Sequence, residues 1–318
     1  MNLQEKISIV IVNFNGASTL HRCIDSILHS TVAGCPLFVI DNGSTDDSIS
    51  RLQPFLGSIS LIRQQNVGYA EGANVGIRLS QSPYVLIANP DIVVSTDFAE
   101  CLVRFMDLHP DAGACGGKLL RWDKVSDRAT NIIDSCGIVR KGCDFIDRGS
   151  GTIDRGRYEQ SQDVFAACGA ALLLRRDALA DIAVSTADEP APSDSPYYFD
   201  PVFFAYKEDI DLCWRLRNKN WRCFYVPDAV AWHVRALQRG NGFLQRLRNK
   251  RHQSSFMREL SFRNHLRLLR KNEPQPSCSQ RLGRVFYILR FALFSLLFSP
   301  DSLRCLFRKK TPFIIPKK

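Results

Sequence analysis

The sequence predicts an α/β fold in which a mostly parallel central sheet is flanked by helices. In the N-terminal third, short apolar segments alternate with segments of helical periodicity, which is the pattern of βαβ units. The first predicted strand, 7–12, is apolar throughout, as expected for a strand buried on both faces. With 318 residues, 45% of them hydrophobic, the chain is long enough for one large domain and an extension.

The predicted strands and helices follow one another at the spacing of a parallel sheet. The strands cover 7–12, 37–40, 59–62, 84–88, 170–174 and 223–226, and the helices cover 17–29, 70–79, 98–106 and 210–219. Ser44 to Asp47 are similar to a capping box and predict the start of a further helix. The polar segment 121–164 gives no assignment, and 183–196 predicts a loop.

Charge divides the chain into two regions. Residues 1–233 carry 22 Lys and Arg against 29 Asp and Glu, whereas residues 234–318 carry 20 against 3. A basic C-terminal region indicates binding to a polyanion, either nucleic acid or an anionic membrane surface. The tail has few interleaved aromatic residues and no nucleic-acid-binding motif, so we expect no nucleic-acid partner.

The cysteines and the N-terminus indicate the cytoplasm. The eleven Cys residues include no C-x-x-C pair, and Cys168 and Cys213 lie in apolar segments, so we expect reduced packing residues. Polar residues lead directly into the first strand, and we expect no signal peptide. The glycine-rich motifs of dehydrogenases and P-loop enzymes are absent, which argues against both classes.

Polar clusters follow three predicted strands, where ligands of parallel sheets bind. These are Asn13-Phe14-Asn15, Asp41-Asn42-Gly43 and Asn89-Pro90-Asp91. Asp41 could accept hydrogen bonds from a ribose or a base, or simply belong to an Asp-Asn-Gly turn. Asp91 could ligate a divalent cation that bridges two phosphates, although Pro90 also suits an ordinary turn.

Three further features allow both a functional and a purely structural interpretation. Gly68, Gly72 and Gly76 are four residues apart, which permits close approach of a nucleotide or, more simply, of another backbone. The acidic segment Glu208–Asp211 could supply a general base or favour a helix N-terminus. A lone His233 after a short strand is more often a packed residue than a ligand.

The ordered set of motifs resembles family 2 glycosyltransferases, and within them the rhamnosyltransferase-like branch of bacterial surface-polysaccharide synthesis. The resemblance covers roughly residues 5–270. The motifs are IVIVNFNG, VIDNGSTDDS, NVGYAEGANVGI, LIANPDI, CGAALLLRR, FFAYKEDIDLCWR and AWH.

This resemblance implies a GT-A fold and a set of site residues. It implies a catalytic domain at 1–240, with nucleotide-binding (1–120) and acceptor-binding (121–240) halves, and a basic helical extension at 241–318. The implied nucleotide-sugar-binding residues are Asn13, Asp41, Asn66, Gly68, Asn89 and Asp91. Asp91 and His233 would hold Mg²⁺ or Mn²⁺, and Asp209, beside Glu208, would be the catalytic base. Asn89 occupies the first position of the family's usual D-x-D motif, which leaves less negative charge around the ion.

The implied function is an inverting, metal-dependent transfer of a sugar from a nucleotide diphosphate donor to a hydroxyl of a lipid-linked or polysaccharide acceptor. The branch suggests dTDP-L-rhamnose as the donor. The alternatives are a family 2 enzyme that uses a UDP-hexose and a nucleotide-sugar-binding protein without turnover. Donor hydrolysis or transfer distinguishes the latter.

The C-terminal region suggests peripheral binding to the inner face of the cell membrane. Its longest apolar run, Val285–Ser299, contains Arg290 and is shorter than the ~20 residues of a spanning helix. Basic residues flank the run on both sides: Arg281, Arg284, Arg304, Arg308, Lys309 and Lys310. We therefore expect this region to lie on an anionic surface, where a lipid-linked acceptor would be met. The structural alternative is a helix packed on the catalytic domain or a second subunit.

Overall fold

The computed structural model describes residues 2–184, 196–234 and 254–298. Its contacts divide the chain into two units, Met1–Leu237 and Gln238–Lys318. The predicted domain boundary near residue 240 lies outside the described residues, as do most of the predicted loop 183–196 and the basic residues after 298.

The first unit contains a sheet and the helices that cover it. Its strands are β1 (Ile7–Asn13), β2 (Leu37–Asp41), β3 (Ser60–Arg63), β4 (Tyr84–Ala88), β5 (Ile92–Val94), β6 (Ala112–Asp123), β7 (Arg128–Ser135), β8 (Ile138–Lys141), β9 (Asp144–Asp147), β10 (Gln162–Asp163), β11 (Ala171–Arg175) and β12 (Arg222–His233). Its α-helices are α1 (Leu3–Lys6), α2 (Leu20–Leu28), α3 (Tyr69–Leu79), α4 (Phe98–Leu108), α5 (Arg176–Asp181) and α6 (Glu208–Asn218), with 3₁₀ turns at Ser50–Phe55 and Pro201–Phe203.

Ten of these strands form one mixed sheet. The order along its main path is β10-β12-β6-β11-β4-β1-β2-β3, while β5 pairs with β12 and β7 pairs with β6. Strands β4, β1, β2 and β3 are parallel, as are β6 and β12, whereas β11 runs antiparallel to both of its neighbours. The predicted α/β architecture is confirmed, and β8 and β9 form a separate hairpin.

Both faces of β1 are covered, which explains its uninterrupted apolar sequence. Alternate residues Ile7, Ile9 and Ile11 join the core formed with α2 and α4. On the other face, a Cβ added to Gly72 or Gly76 of α3 would lie 2.7 Å and 2.2 Å from a methyl of Val12 and Val10, respectively. The glycine spacing therefore serves helix–strand packing, which confirms the simpler of the two interpretations of Gly72 and Gly76.

Two sequence-based expectations for secondary structure are wrong or incomplete. Ser44 to Asp47 do not begin a helix, because the hydroxyl of Ser44 donates to Asp41 (2.5 Å) instead of capping. Only the 3₁₀ turn Ser50–Phe55 follows, without a side-chain cap. The unassigned segment 121–164 contains β7 to β10, whose half-exposed, polar strands lack a continuous apolar pattern.

The second unit, within the described residues, is a pair of helices: α7 (Ser255–Asn272) and α8 (Cys278–Phe298). Ser254 caps α7 by accepting a hydrogen bond from the backbone N–H of Met257. Phe262 stacks on Phe291 with ring centroids 3.7 Å apart, and His265 stacks on Tyr287 at 3.8 Å. Within the part of the chain that the structure describes, no helix is both long and apolar enough to cross a bilayer.

Candidate active site

The ends of β1 and β2 form a buried polar cluster. Parallel pairing places Asn13 directly beside Asp41. The amide nitrogen of Asn13 lies 3.0 Å from a carboxylate oxygen of Asp41 and 3.0 Å from the hydroxyl of Ser44. Asp41 is only 1% exposed. Direct contact of this carboxylate with a ligand therefore requires movement of Ser44, which donates to it.

Gly68 borders the same end of the sheet. The side chain of Asn42 donates to the carbonyl of Gly68 (2.9 Å), and Asn66 Oδ1 accepts from the N–H of Gly68 (3.1 Å). Gly68 has a φ of 89°, in the left-handed region that favours glycine. The asparagines thus fix the turn that begins α3, and Asn66 is half-buried at its edge.

Asp91 and His233 meet because β12 pairs with β5. The register places His233 opposite Ile92, and the N–H of Val234 donates to the carbonyl of Asp91 (2.8 Å). Nε2 of His233 lies 3.2 Å from Oδ1 of Asp91. On its other side, Nδ1 of His233 donates to Asp134 Oδ2 at 2.9 Å. Burial disfavours a charged His233, but Asp91 and Asp134 outweigh it and raise its pKa to about 9.

These residues fit a divalent cation that takes its remaining ligands from elsewhere. Oδ1 of Asp91 is buried and makes no hydrogen bond among the described residues. The bond from His233 to Asp134 fixes the imidazole so that Nε2 faces Asp91. Carboxylates bonded to the outer nitrogen of metal-binding histidines orient them in the same way. Within the described parts of the chain, no group of three His, Cys, Asp or Glu side chains is arranged so that it could hold a metal ion by itself. Magnesium sites with one or two protein carboxylates are completed by substrate phosphates and water.

A second pair of site residues, Glu208 and Asp209, begins α6. The carboxylate of Asp209 accepts from the N–H groups of Gly169 (3.0 Å) and Ile210 (2.8 Å). Glu208 is buried, and its Oε2 has no hydrogen bond to any residue of the described ranges. Burial and the neighbouring Asp209 raise the pKa of Glu208 to about 8. Glu208 is therefore largely protonated at neutral pH, and Asp209 is not paired with a second full charge.

The third acid of this segment has a structural role. Asp211 is fully buried and accepts from Arg215 Nε at 2.8 Å. Arg215 also donates to the backbone carbonyls of Ile182 and Tyr198. The i,i+4 ion pair that the sequence allowed is therefore present, and it anchors α6.

The backbone at Gly169 and Ala170 links the Asp91–His233 pair to the Glu208–Asp209 pair. Ala170 accepts at its carbonyl from the N–H of Asn89, in the same turn as Asp91 (2.9 Å). Gly169 itself donates to Asp209, and its carbonyl accepts from the hydroxyl of Tyr69 (3.3 Å). A Cβ at position 169 would lie 2.7 Å from the Cβ of Asp209, so only glycine permits this approach.

The structure places the sequence-predicted residues at or after the ends of strands β1 to β4, at the end of β12 and at the start of α6. The backbone of Gly169 and Ala170 links the turn that carries Asp91 to Asp209. Asn89 contributes its backbone at that link. Sequence reasoning missed three residues of this site: Tyr69, Asp134 and Gly169. Tyr69 and Gly169 lie in motifs that carried the resemblance, whereas Asp134 lies in the unassigned segment and had no signal of its own.

Comparisons with known proteins define the family. The profile described as "Glycosyl transferase family 2" matches residues 8–183. This match covers more than half of the chain, which therefore belongs to glycosyl transferase family 2.

Three curated relatives differ in how much of their own length matches this chain. The N-acetylglucosaminyl-diphospho-decaprenol L-rhamnosyltransferase of Mycobacterium tuberculosis is 26% identical over 258 residues, 75% of this chain and 79% of that protein. Glycosyltransferase GlyG of Streptococcus pneumoniae serotype 4 is 27% identical over 126 residues, 38% of this chain. The match spans 42% of GlyG and only 15% of an Escherichia coli chondroitin synthase.

Solved glycosyltransferases share the fold. GalNAc-T7, in a crystal structure with UDP, GalNAc and Mn²⁺, aligns with a TM-score of 0.60 and 14% identity, over 83% of this chain and 48% of that one. The mannosyltransferase PcManGT of Pyrobaculum calidifontis, in complex with GDP-Man and Mn²⁺, aligns with a TM-score of 0.50 and 14% identity, over 95% and 74%. The first unit therefore has the GT-A fold of these enzymes.

Proposed function

We propose that this protein is an inverting glycosyltransferase that moves a sugar from a nucleotide diphosphate donor to an acceptor hydroxyl. The observation that carries the proposal is that the Asp91–His233 pair and the Glu208–Asp209 pair lie on either side of the backbone at Gly169 and Ala170. The two pairs match the two chemical needs of the reaction, since a leaving diphosphate gains negative charge and an attacking hydroxyl loses a proton.

Asp209 serves as the general base in this proposal. Peptide N–H groups on both sides hold its carboxylate in one orientation, toward an acceptor hydroxyl in the cleft. The acceptor oxygen attacks the anomeric carbon from the face opposite the diphosphate, its proton passes to Asp209, and the anomeric configuration is inverted. Glu208, protonated beside it, leaves Asp209 as the carboxylate that takes up the proton.

Asp91 and His233 would hold a Mg²⁺ or Mn²⁺ ion in this proposal. When bound, this cation neutralises the charge that develops on the leaving diphosphate. Asp134 keeps His233 oriented for this role. Asn13, Asp41, Asn66, Gly68 and Asn89 border the nucleotide and the sugar. The Mn²⁺ in the two solved relatives is in keeping with this proposal.

The proposed donor is dTDP-L-rhamnose, and the proposed acceptor is lipid-linked or a polysaccharide. Support comes from the rhamnosyltransferase relative, the curated protein reported above that matches most of this chain. UDP-hexoses are the alternative donors.

A donor panel tests the proposal. Purified protein is incubated with dTDP-, UDP- and GDP-sugars and Mg²⁺ or Mn²⁺, and release of the nucleotide diphosphate is measured. We expect release from dTDP-L-rhamnose above that from UDP-hexoses. Preference for UDP-glucose or UDP-galactose would replace the donor and keep the transferase. Binding of a donor without hydrolysis or transfer to any acceptor would indicate a binding protein instead.

We further propose that the second unit binds the inner face of the membrane through one face of α8. Seven large apolar residues of this helix are 50–64% exposed: Leu282, Val285, Phe286, Leu289, Leu293, Leu296 and Leu297. Their positions recur at the period of about 3.6 residues per turn, so they share one face of the helix. The opposite face of α8 packs on α7 through Tyr287 and Phe291.

Charge favours a lipid surface over a second copy of the chain as the occupant of this apolar face. Helix α8 contains three Arg residues and no Asp or Glu. Helical spacing places exposed Arg281 and Arg290 along opposite edges of the face. Two identical copies would bring these arginines together, whereas an anionic headgroup layer is complementary to them.

Flotation with liposomes tests the membrane proposal. We expect the full chain to float with vesicles that contain anionic lipid at low salt, and a chain ending at Asn272 to remain behind. Leu289→Glu should abolish flotation, whereas Leu108→Glu, at an exposed leucine of the first unit, should not. Equal behaviour of all four proteins, or a dimer in solution that Leu289→Glu dissociates, would contradict the proposal.

A further inference from the structure

Tyr69 lies between the donor side and the base side of the site. It is the first residue of α3, directly after Gly68. Its half-buried side chain crosses to the Gly169 peptide and donates to that carbonyl at 3.3 Å. Burial, and after it the negative charges of Glu208, Asp209, Cys168 and Asp91, raise the pKa of Tyr69 well above its ordinary value. The hydroxyl therefore keeps its proton and acts as a donor.

The backbone of Tyr69 is fixed against the segment that leads into α6. The N–H of Ala70 donates to the carbonyl of Phe204 (3.1 Å). A Cβ on Gly68 would lie 2.5 Å from the ring of Phe204. One turn further along α3, the buried amide of Asn74 exchanges hydrogen bonds with the backbone of Phe199. These contacts hold the start of α3 and the lead-in to α6 together.

The backbone of Gly169 thus connects two side chains of unlike character. Its carbonyl, in the peptide group shared with Ala170, accepts from Tyr69, and its N–H, in the peptide group shared with Cys168, donates to Asp209 Oδ2 at 3.0 Å. The side chain of Asp209 also lies within van der Waals distance of Gly169, where no Cβ fits. Because both groups are bonded to the Cα of Gly169, a shift of the carbonyl also displaces the N–H that orients Asp209.

We propose that Tyr69 is a positioning residue, whose hydroxyl fixes the backbone of Gly169 so that its N–H holds the carboxylate of Asp209. The consequence for rate rests on the proposed function, in which Asp209 is the base. The structural part, that Tyr69 fixes the backbone of Gly169, does not. The proton of Tyr69 stays on its own oxygen, and Tyr69 takes no part in the proton transfer itself.

Hydrogen exchange tests the structural part without any substrate. In Tyr69→Phe we expect faster amide exchange in peptides that cover 166–170, with an unchanged melting temperature. Tyr84→Phe is the matched control, because the Tyr84 hydroxyl bonds to Asp107 and Arg175 instead. It should leave exchange at 166–170 as in the wild type. Unchanged exchange in Tyr69→Phe would overturn the proposal, whether or not the protein transfers sugar.

Kinetics test the consequence for Asp209. We expect Tyr69→Phe to lower kcat about tenfold at an unchanged KM for the donor, since an interaction made in the transition state is lost. In the Asp209→Asn background, Tyr69→Phe should have no further effect, because residues that act as a unit are not additive. A raised donor KM with unchanged kcat, or full additivity with Asp209→Asn, would contradict a positioning role. Wild-type protein without turnover would instead contradict the proposed function.

Discussion

The Asp91–His233 pair and the Glu208–Asp209 pair of the site differ in what surrounds their carboxylates. Asp91 is partly exposed, and its Oδ1 faces an imidazole but makes no hydrogen bond within the described residues. Asp209, in contrast, has both oxygens bonded to backbone N–H groups. A carboxylate whose oxygen faces a fixed histidine suits metal ligation, whereas a carboxylate held by backbone N–H groups suits directed proton transfer.

The same difference assigns distinct supporting residues to each pair. Asp134 stands behind His233 on the metal side. On the base side, Glu208 is protonated near neutral pH and Gly169 provides the N–H donor. If the two pairs have separate roles, substitutions on one side should leave the function of the other intact.

The largest expected effect is that of Asp209→Asn on transfer. The amide keeps the size of the side chain but does not accept the proton, and a general base typically contributes ~10²–10⁴-fold in rate. We expect kcat to fall by about this factor, measured as nucleotide diphosphate release in the presence of acceptor. Asp211→Asn, whose carboxylate pairs with Arg215, should chiefly lower the melting temperature. Near wild-type turnover in Asp209→Asn would remove the base from the account.

A smaller effect is expected on the metal side from Asp134→Asn. This change removes the buried charge that orients His233. Loss of a carboxylate that orients a metal-binding histidine costs ~10–100-fold in metal affinity or activity. We expect the Mg²⁺ or Mn²⁺ concentration for half-maximal activity to rise by about tenfold. Asp163→Asn, which removes a carboxylate paired with Arg217 and Arg222, is the control and should not change it. An unchanged metal requirement in Asp134→Asn would show that His233 is a packed residue.

The smallest effect concerns stability and separates Glu208 from Asp209. Because the folded-state pKa of Glu208 is raised from 4.5 to about 8, its contribution to stability is present below pH 4.5 and is lost as pH rises through 8. We expect Glu208→Gln to melt at higher temperature than the wild type at pH 9 but not at pH 4.5. A difference of 1 kcal/mol corresponds to about 2–4 °C for a unit of this size. An equal difference at both pH values would mean that folding does not raise the pKa of Glu208.

The sequence predicted the parallel half of the sheet well because β1, β2 and β4 are mostly apolar and almost wholly buried. Strand β4 was predicted at its observed bounds, 84–88. The strands within 121–164 were not predicted, because most of their side chains are half-exposed and polar. Strand β6 was not predicted either, because it begins with a glycine-rich stretch. The capping pattern at Ser44 was misleading because tertiary contacts with Asn13 and Asp41 take up its hydroxyl.

The site was predicted from motifs, and only the structure provides its connections. Nothing local in the sequence around His233 indicates that β12 pairs with β5 and so places it beside Asp91. The contribution of Asp134 likewise depends on the long-range pairing of β12 with β6, whose hairpin partner β7 carries Asp134. Long-range strand register decides these contacts, and the sequence of one chain does not specify it.

The central claim is that Asp91 and His233 serve metal-dependent donor binding, whereas Asp209, beside Glu208, serves proton transfer. Calorimetric titration of the donor with and without Mg²⁺ tests this most directly, in Asp91→Ala, His233→Ala, Asp209→Asn and the wild type. We predict that Asp209→Asn retains metal-dependent donor binding without transfer, and that Asp91→Ala and His233→Ala each lose the metal dependence. Wild-type donor binding in both metal-side variants, together with full activity in EDTA, would contradict the account.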